Sequence, residues 1–523
     1  MQPLVQFLKP WDVVSGAYNA ILADLTAIDS RASQRDITHV LCLYDAGALM
    51  GDALYGFGEA AQCEALLTAL DGYCARQPEK VVVTHTFCLS SSRWLGFADI
   101  TNRASLKTTE AALNTRLISL TNTHPNLLVF DIELLFRRFG EDALTSNAFW
   151  YAGRIRYTAR MFELLANTIR NAVNAYAQRS RKVLILDLDN TLWGGVVGEV
   201  GPAGIDLSED GKGRCYRDFQ RALKALQNIG VLLAASSKNN AADVNEVFES
   251  NPMMVLRRED FAAMRANWES KVENIVAIAE ELDLGTDSFV FLDDSPVERQ
   301  AIKSFLPDVA VPDFPKSPEK LASWLLQEVA PNYFGKYVLT PEDTVKTEQY
   351  HARTARRKLA VNFDLDSYLA DLGIECTIHV DSVNRLVRAA QMTQKTNQFN
   401  LTTRRYEVTD LTRFTESPDH AVLLLDYKDR FGDEGSVGLA IIDLAESRID
   451  TLLASCRVIG RKIEHRLVDR AVELCRLRGH RKIVGEYIPT KKNQLVAKFY
   501  DGCGFARLAE QPDGRVLYEK GIP

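Results

Sequence analysis

The chain has 523 residues, 46% of them apolar and 25% charged, the composition of an ordinary globular protein too long for a single core. A net charge of −7 excludes a general nucleic-acid binder, which carries a basic surface. No run of about 18 apolar residues occurs, so no membrane span is expected, and the N-terminal MQPLVQFLKPWDVV has no signal-peptide pattern. The nine cysteines form no C-x-x-C pair, which suits free thiols in a reducing cytoplasm and suggests no zinc site.

Taken in chain order, residues 1–179 alternate strand and helix signals, with strands in DITHVLCLYD, KVVVTHTF and NLLVFDI. This rhythm predicts a parallel α/β domain. The helical stretch YTARMFELLANTIRNAVNAYAQRSR leads into a second α/β domain, placed at 180–335, whose strands lie in KVLILDLD, GVLLAASS and DSFVFLDD. A charged helical connector is placed at 336–365. The third domain, 366–523, is read as α+β, with strands in IECTIHV, AVLLLDY, SVGLAIIDL, RIDTLLASC and KIVGEYI around the helix KIEHRLVDRAVELCRLRG. The fold class expected is therefore multidomain α/β.

The second domain carries the chemistry. LILDLDNTLW places Asp187, Asp189 and Thr191 at the end of an apolar strand, where an open α/β sheet binds ligands. Two carboxylates at i and i+2 converge as the chain leaves the strand, so one can attack phosphorus while the other moves a proton. VLLAASSKNN brings Ser236, Ser237, Lys238 and Asn239 to a second strand end, where a hydroxyl can hold a phosphoryl oxygen. Lys271 can neutralise that group's charge. Asp293 and Asp294, in FVFLDDSPVER, follow a third strand and with Asp187 make a hard-oxygen Mg²⁺ site. Each signal alone is ordinary: a D-x-D is often a turn, a Ser after a strand often a helix cap, a lone Lys a surface charge. Their joint order at successive strand ends is what points to phosphoryl transfer.

The arrangement resembles the haloacid dehalogenase (HAD) superfamily. That resemblance implies a Rossmann-like parallel sheet with Asp187 as nucleophile, Asp189 as general acid/base, Ser237 (or Ser236) as the phosphate-binding hydroxyl, and Lys271 as the motif lysine. It also implies metal ligands drawn from Asp187, Asp189, Asp293 and Asp294. Only about 45 residues separate the first two motifs, so the cap is minimal and the site is open to a large acceptor.

LDLDNTLWGGVVGEVG, SSKNN, NWESKVENI and FLDDSPVER, together with QMTQKTNQFNLTTRRY, DRFGDEGSVG and SCRVIGRKIEHRLV, are similar to the FkbH-like family over roughly residues 130–523. The family resemblance implies a cytoplasmic enzyme that takes the acyl phosphate 1,3-bisphosphoglycerate, removes phosphate, and loads a glyceryl unit onto the phosphopantetheine thiol of an acyl carrier protein in polyketide-type biosynthesis. It implies a GNAT-like C-terminal domain, with Cys456 carrying the acyl group as a thioester and Arg457 and Arg461 holding an anion at a helix start. Thr191, Lys238, Asn239, Lys395, Asn397, Gln398 and Asn400 are the substrate-binding candidates. The polar run 394–400 also reads as a capped turn, and Asp429 to Asp433 as a hairpin connection.

The N-terminal region is similar to SGNH hydrolases but lacks their catalytic pattern. LYDAGAL has no Gly-Asp-Ser turn and NAFWYAGRIRYT no Asp-x-x-His, so a non-catalytic domain is expected. Two alternatives stand beside glyceryl transfer. One is a stand-alone Mg²⁺-dependent phosphatase with a GNAT-like recognition domain; the other is a non-catalytic scaffold.

Overall fold

A computed structural model describes residues 2–16, 20–56, 60–89, 95–102, 105–344, 346–350, 352, 373–430, 432–455, 458 and 461–523. The chain divides into two compact units, 1–177 with 408–410, and 178–407 with 411–523. The multidomain α/β expectation holds. No described helix is long and apolar enough to cross a membrane.

The first unit is built on three parallel strands, β1 (His39–Leu41), β2 (Val81–His85) and β3 (Leu127–Phe130), in that order. Asp45 caps the helix Ala46–Met50 by accepting from the Ala48 amide, so its carboxylate has a structural task.

In the second unit, β4 (Val183–Leu186), β5 (Leu232–Ser237), β6 (Phe261–Ala266) and β7 (Phe289–Leu292) form an all-parallel sheet in the order β6-β5-β4-β7. The unbroken apolar run of β4 follows from burial on both faces. Leu184 and Leu186 pack with Phe219, Leu223 and Val247 on one side, and Val183 and Ile185 with Ile275, Ile278 and Phe291 on the other. Each such side chain contributes about 1.5–3 kcal/mol of burial, which holds the strand ends in register at the site.

Two helices reach that site by local rules that are visible in the sequence. Ser270 accepts from the Glu273 amide and Glu273 accepts from the Ser270 amide, a capping box that starts Lys271–Leu282 at Lys271. Ser295 with Pro296 at the first helical position starts Pro296–Phe305 directly after Asp293 and Asp294. Between β4 and β5 the described helices are Val197–Val200 and Gly211–Asn228, with no room for a cap domain. A side chain at Gly194 would approach Asp206 and Tyr216 to 2.7 Å, so this short flap closes only because position 194 is glycine.

The same unit holds a seven-stranded sheet of β8 (Glu375–Val380), β9 (His420–Asp429), β10 (Gly432–Asp443), β11 (Arg448–Ala454), β12 (Lys482–Tyr487), β13 (Ala506–Glu510) and β14 (Val516–Gly521), in the order β13-β14-β12-β11-β10-β9-β8. Its one parallel pair, β11 with β12, is joined only at Arg448–Val484 and Ile449–Gly485, after which the strands part. Residues 399–401 bridge that gap: Leu401 N donates to Leu452 O, Ala454 N to Phe399 O, and Ile488 N to Leu401 O.

Candidate active site

Asp187 follows β4 with its amide donating to Leu292 O at 3.0 Å, which ties it to β7 and to Asp293 beyond. Lys271 Nζ lies 2.9 Å from Asp187 Oδ1 and 2.5 Å from Asp293 Oδ2. Asp187 is 6%, Lys271 4% and Asp293 0% exposed, so this ion triad is largely withdrawn from water. Asp187, Asp293 and Asp294 present carboxylate oxygens within 4.8 Å of one another. Ser295 N donates to Asp293 Oδ1 at 2.8 Å, and Arg299 Nη1 donates to the Asp293 and Asp294 carbonyls at 2.6 and 2.7 Å. Sequence reasoning missed Arg299; its position one turn into the helix after the aspartate pair was the available signal.

Burial raises the Asp187 carboxyl to about 6, with Asp293 adding to the shift and Lys271 and Ser237 opposing it. Asp293 and Asp294 are raised as well, first by burial. Burial works against the Lys271 charge too, but Asp187 and Asp293 outweigh it and hold its pKa up. When ionised, the three carboxylates exceed the single ammonium by two charges, which suits a divalent cation. Oxygen-only donors with two negative charges in excess fit magnesium. Below pH 6 the Asp187 carboxyl takes up a proton and must release it to bind metal. Mg²⁺ affinity measured by calorimetry is therefore expected to fall about tenfold between pH 7.5 and pH 5; equal affinity at both pH values would contradict this assignment.

Of the four metal candidates, Asp189 is the one whose side chain lies outside the converging three. Its Oδ1 accepts from Trp193 Nε1 at 2.9 Å and from the Val197 amide at 3.1 Å, and its Oδ2 from Asn239 Nδ2 at 2.9 Å. Asn190, with φ 51°, makes the turn that aims it there. These three donors fix the orientation of the Asp189 carboxylate. Trp193 was the residue missed, four positions beyond Asp189.

Asn239 also donates to Ser237 Oγ at 3.0 Å, and Ser237 interacts with Asp187, so it is Ser237 that faces the carboxylates. Ser236 Oγ and Thr191 Oγ1 are buried without a hydrogen-bond partner among the described residues. Lys238 is committed elsewhere, 2.6 Å from Glu298 Oε1.

In the C-terminal part, several expected substrate residues have protein partners instead. Asn397 accepts from Arg405 Nη2, and Gln398 Nε2 donates to Asp283 Oδ1 at 2.9 Å. Asn400 is fully buried, donating to Thr396 O at 3.2 Å and accepting from the Thr403 amide at 2.8 Å, which makes it the pivot of a turn. Arg461, expected to face a ligand phosphate, turns inward: it is 3.6 Å from Asp429 Oδ2 and stacks 4.8 Å above the Tyr427 ring. Tyr427 OH donates to the same Asp429 carboxylate at 2.7 Å. Asp429 and Gly432 are paired across the β9–β10 hairpin. Lys395 ends the helix Leu386–Lys395. Cys456 and Arg457 lie outside the described residues.

No family model and no curated protein matches the chain. Among solved structures it is similar to the N-terminal part of the protein BF1531 from Bacteroides fragilis, containing a phosphatase domain complexed with Mg. That likeness has 27% identity and a TM-score of 0.58, covering 63% of this chain and 87% of that one. Smaller shares match the GNAT domain of S. lividans PAT (16% identity, 28% of this chain, 90% of that chain, TM-score 0.24) and the ribosomal-protein-S18-alanine N-acetyltransferase from Escherichia coli (14%, 28%, 94%, 0.23).

Proposed function

We propose that this protein is an Mg²⁺-dependent enzyme of the FkbH-like kind, which removes phosphate at Asp187 and transfers the glyceryl unit of 1,3-bisphosphoglycerate to the phosphopantetheine thiol of an acyl carrier protein. The observation that carries the phosphoryl half is the convergence of three carboxylates, two of them paired with Lys271, at the ends of parallel strands. The likeness to a magnesium-bound phosphatase domain supports it.

In this reading an Asp187 oxygen attacks phosphorus and the P–O bond to the substrate breaks. Asp189, held by Trp193, Val197 and Asn239, gives a proton to the departing oxygen and then takes one from the water that cleaves the aspartyl phosphate. Ser237 and Lys271 hold the phosphoryl oxygens. Asp187, Asp293 and Asp294 would hold Mg²⁺, which supplies charge neutralisation at the transferring group. For the acyl half, the Cys456 thiolate attacks the acyl carbon, phosphate leaves, and the thioester passes to the carrier thiol.

Phosphatase chemistry alone is the second reading, and the inward turn of Arg461 favours it by removing one expected anion contact. Intact-protein mass spectrometry decides between them. The enzyme is mixed with Mg²⁺ and enzymatically generated 1,3-bisphosphoglycerate, with and without a cognate holo acyl carrier protein. Glyceryl transfer predicts an enzyme adduct, mapped to Cys456, that disappears as the carrier gains it. Phosphate release without an adduct on either protein would sink the transferase reading and leave the phosphatase.

A further inference from the structure

A second charge imbalance, opposite in sign, lies at the other edge of the β4–β5 sheet. Lys182 immediately precedes β4 and Gly230 precedes β5, whereas Asp187 and Ser237 stand at the far ends of those strands. At about 3.3 Å of rise per residue, Lys182 and Asp187 are about 16 Å apart. A side chain placed on Gly230 would come within 3.0 Å of Lys336 Nζ and 2.6 Å of the Asp343 carbonyl, so the group packs directly on the start of β5.

Asp343 is the carboxylate at its centre. Its Oδ1 is 2.5 Å from Lys336 Nζ and 3.9 Å from Lys346 Nζ. Its Oδ2 accepts from Thr340 N at 3.2 Å and Thr340 Oγ1 at 3.1 Å. Lys395 and Lys182 act on the same group, and Arg388 acts on Lys336 and Lys395. Arg388 itself donates to Ser436 O at 3.0 Å. The Asp343 side chain is 4%, Lys336 8% and Lys346 19% exposed. Lys395 makes no hydrogen bond or ion pair with the described residues.

Among the described residues, two ammonium groups, those of Lys336 and Lys346, thus share one carboxylate in a mostly dry setting, and Lys395 is near enough to act on all three, so that positive charge exceeds negative there. Burial, then Lys336 and Lys182, pushes Lys395 down to about 7. Lys346 is pushed well down, by burial first and then by Lys395 and Lys336. Such a group is relieved either by proton loss from a lysine or by a ligand carrying about two negative charges. A phosphomonoester carries about −1.5 to −2 at neutral pH, with acceptor oxygens enough for several ammonium donors.

We propose that Lys336, Lys346 and Lys395 form an anion site that takes the phosphate group of a phosphorylated small molecule, separate from the carboxylate centre. The three lysines come from three segments, the chain after the parallel sheet, the helical turn beyond Asp343 and the end of Leu386–Lys395, and they act on the same carboxylate only in the folded protein. No carboxylate of the magnesium centre belongs to this group, so the site stands whether or not the glyceryl-transfer reading does.

The test uses the full chain with excess EDTA at constant ionic strength, titrated with inorganic phosphate by calorimetry. Phosphate is expected to bind the parent protein and Asp187→Asn alike, and at least tenfold more weakly to Lys395→Met and Lys346→Met. In thermal melts without phosphate, Lys395→Met is expected to equal or exceed the parent, because a repelled ammonium has been removed. Phosphate should raise the melting temperature of the parent and not of that variant. If one variant fails to fold, the other carries the comparison, with Lys336→Gln as a third. The proposal is overturned if phosphate binds the lysine variants as it binds the parent, if only Asp187→Asn loses it, or if the parent binds none at millimolar concentration, which would mean that the lysines are relieved by proton loss.

Discussion

Asp187→Asn is expected to lower phosphate release by about 10³-fold or more while the protein remains folded. The amide matches the carboxylate in shape and keeps an oxygen toward Lys271, but it is a poor nucleophile and cannot form the aspartyl phosphate. Stability should not fall with activity. Asp187 is 6% exposed, is raised to about 6 by burial, and lies beside Asp293, so an uncharged side chain removes a desolvated negative charge. The measurement is phosphate release alongside a thermal melt without Mg²⁺. Full activity in the folded variant would exclude Asp187 as the nucleophile, whereas lost activity with a collapsed melt would reduce its role to structure.

The second large effect is expected from Lys271→Met. Lys271 touches both Asp187 and Asp293 at 4% exposure, and its removal leaves two buried carboxylates without their ammonium. Breaking a buried pair in this way costs about 3–5 kcal/mol. The defect should depend on pH with a definite sign. A carboxyl whose folded pKa is raised stabilises the fold while protonated and loses that contribution as pH rises from its unfolded value toward its folded one. For Asp187 in the parent that window runs from 3.8 to about 6. Without Lys271 the window extends upward, so the variant should approach the parent at pH 5 and fall furthest behind at pH 8. Mg²⁺ should restore part of the loss, about 2.7 kcal/mol at a hundredfold excess over Kd, because the cation takes over the neutralising charge. Denaturant melts with and without Mg²⁺ at both pH values measure all of this. A variant as stable as the parent at pH 8 without metal would show that the ion triad does not support the fold.

Much of this centre was legible in the linear chain because each part is a local pattern. Apolar runs end in Asp187, Ser237 and Asp293, and a strand buried on both faces must be such a run. Ser270-x-x-Glu273 announces a helix that begins at Lys271, and Ser295-Pro296 announces one that begins after the aspartate pair. An ammonium at a helix N-terminus is locally unfavourable, and the two carboxylates it meets explain why it is there. The Asn-rich turn at 397–400 shows the limit of composition: donors and acceptors suit a ligand or a turn equally, and the structure gives Asn397, Gln398 and Asn400 protein partners.

By itself, then, the sequence determined three of the four strands of the parallel sheet, β4, β5 and β7 but not β6, which residues stand at their ends, and where the neighbouring helices begin, since these follow from periodicities and caps spanning a few residues. Tertiary structure decided which way Asp189 points, because its partner Asn239 comes from a separate segment 50 positions on. It also decided that Arg461 turns inward onto Asp429 and Tyr427. And it alone assembled the basic group around Asp343, whose lysines at 182, 336, 346 and 395 span more than 200 positions. Local patterning tells which face of an element is buried, whereas the meeting of charges from distant elements depends on how those faces pack.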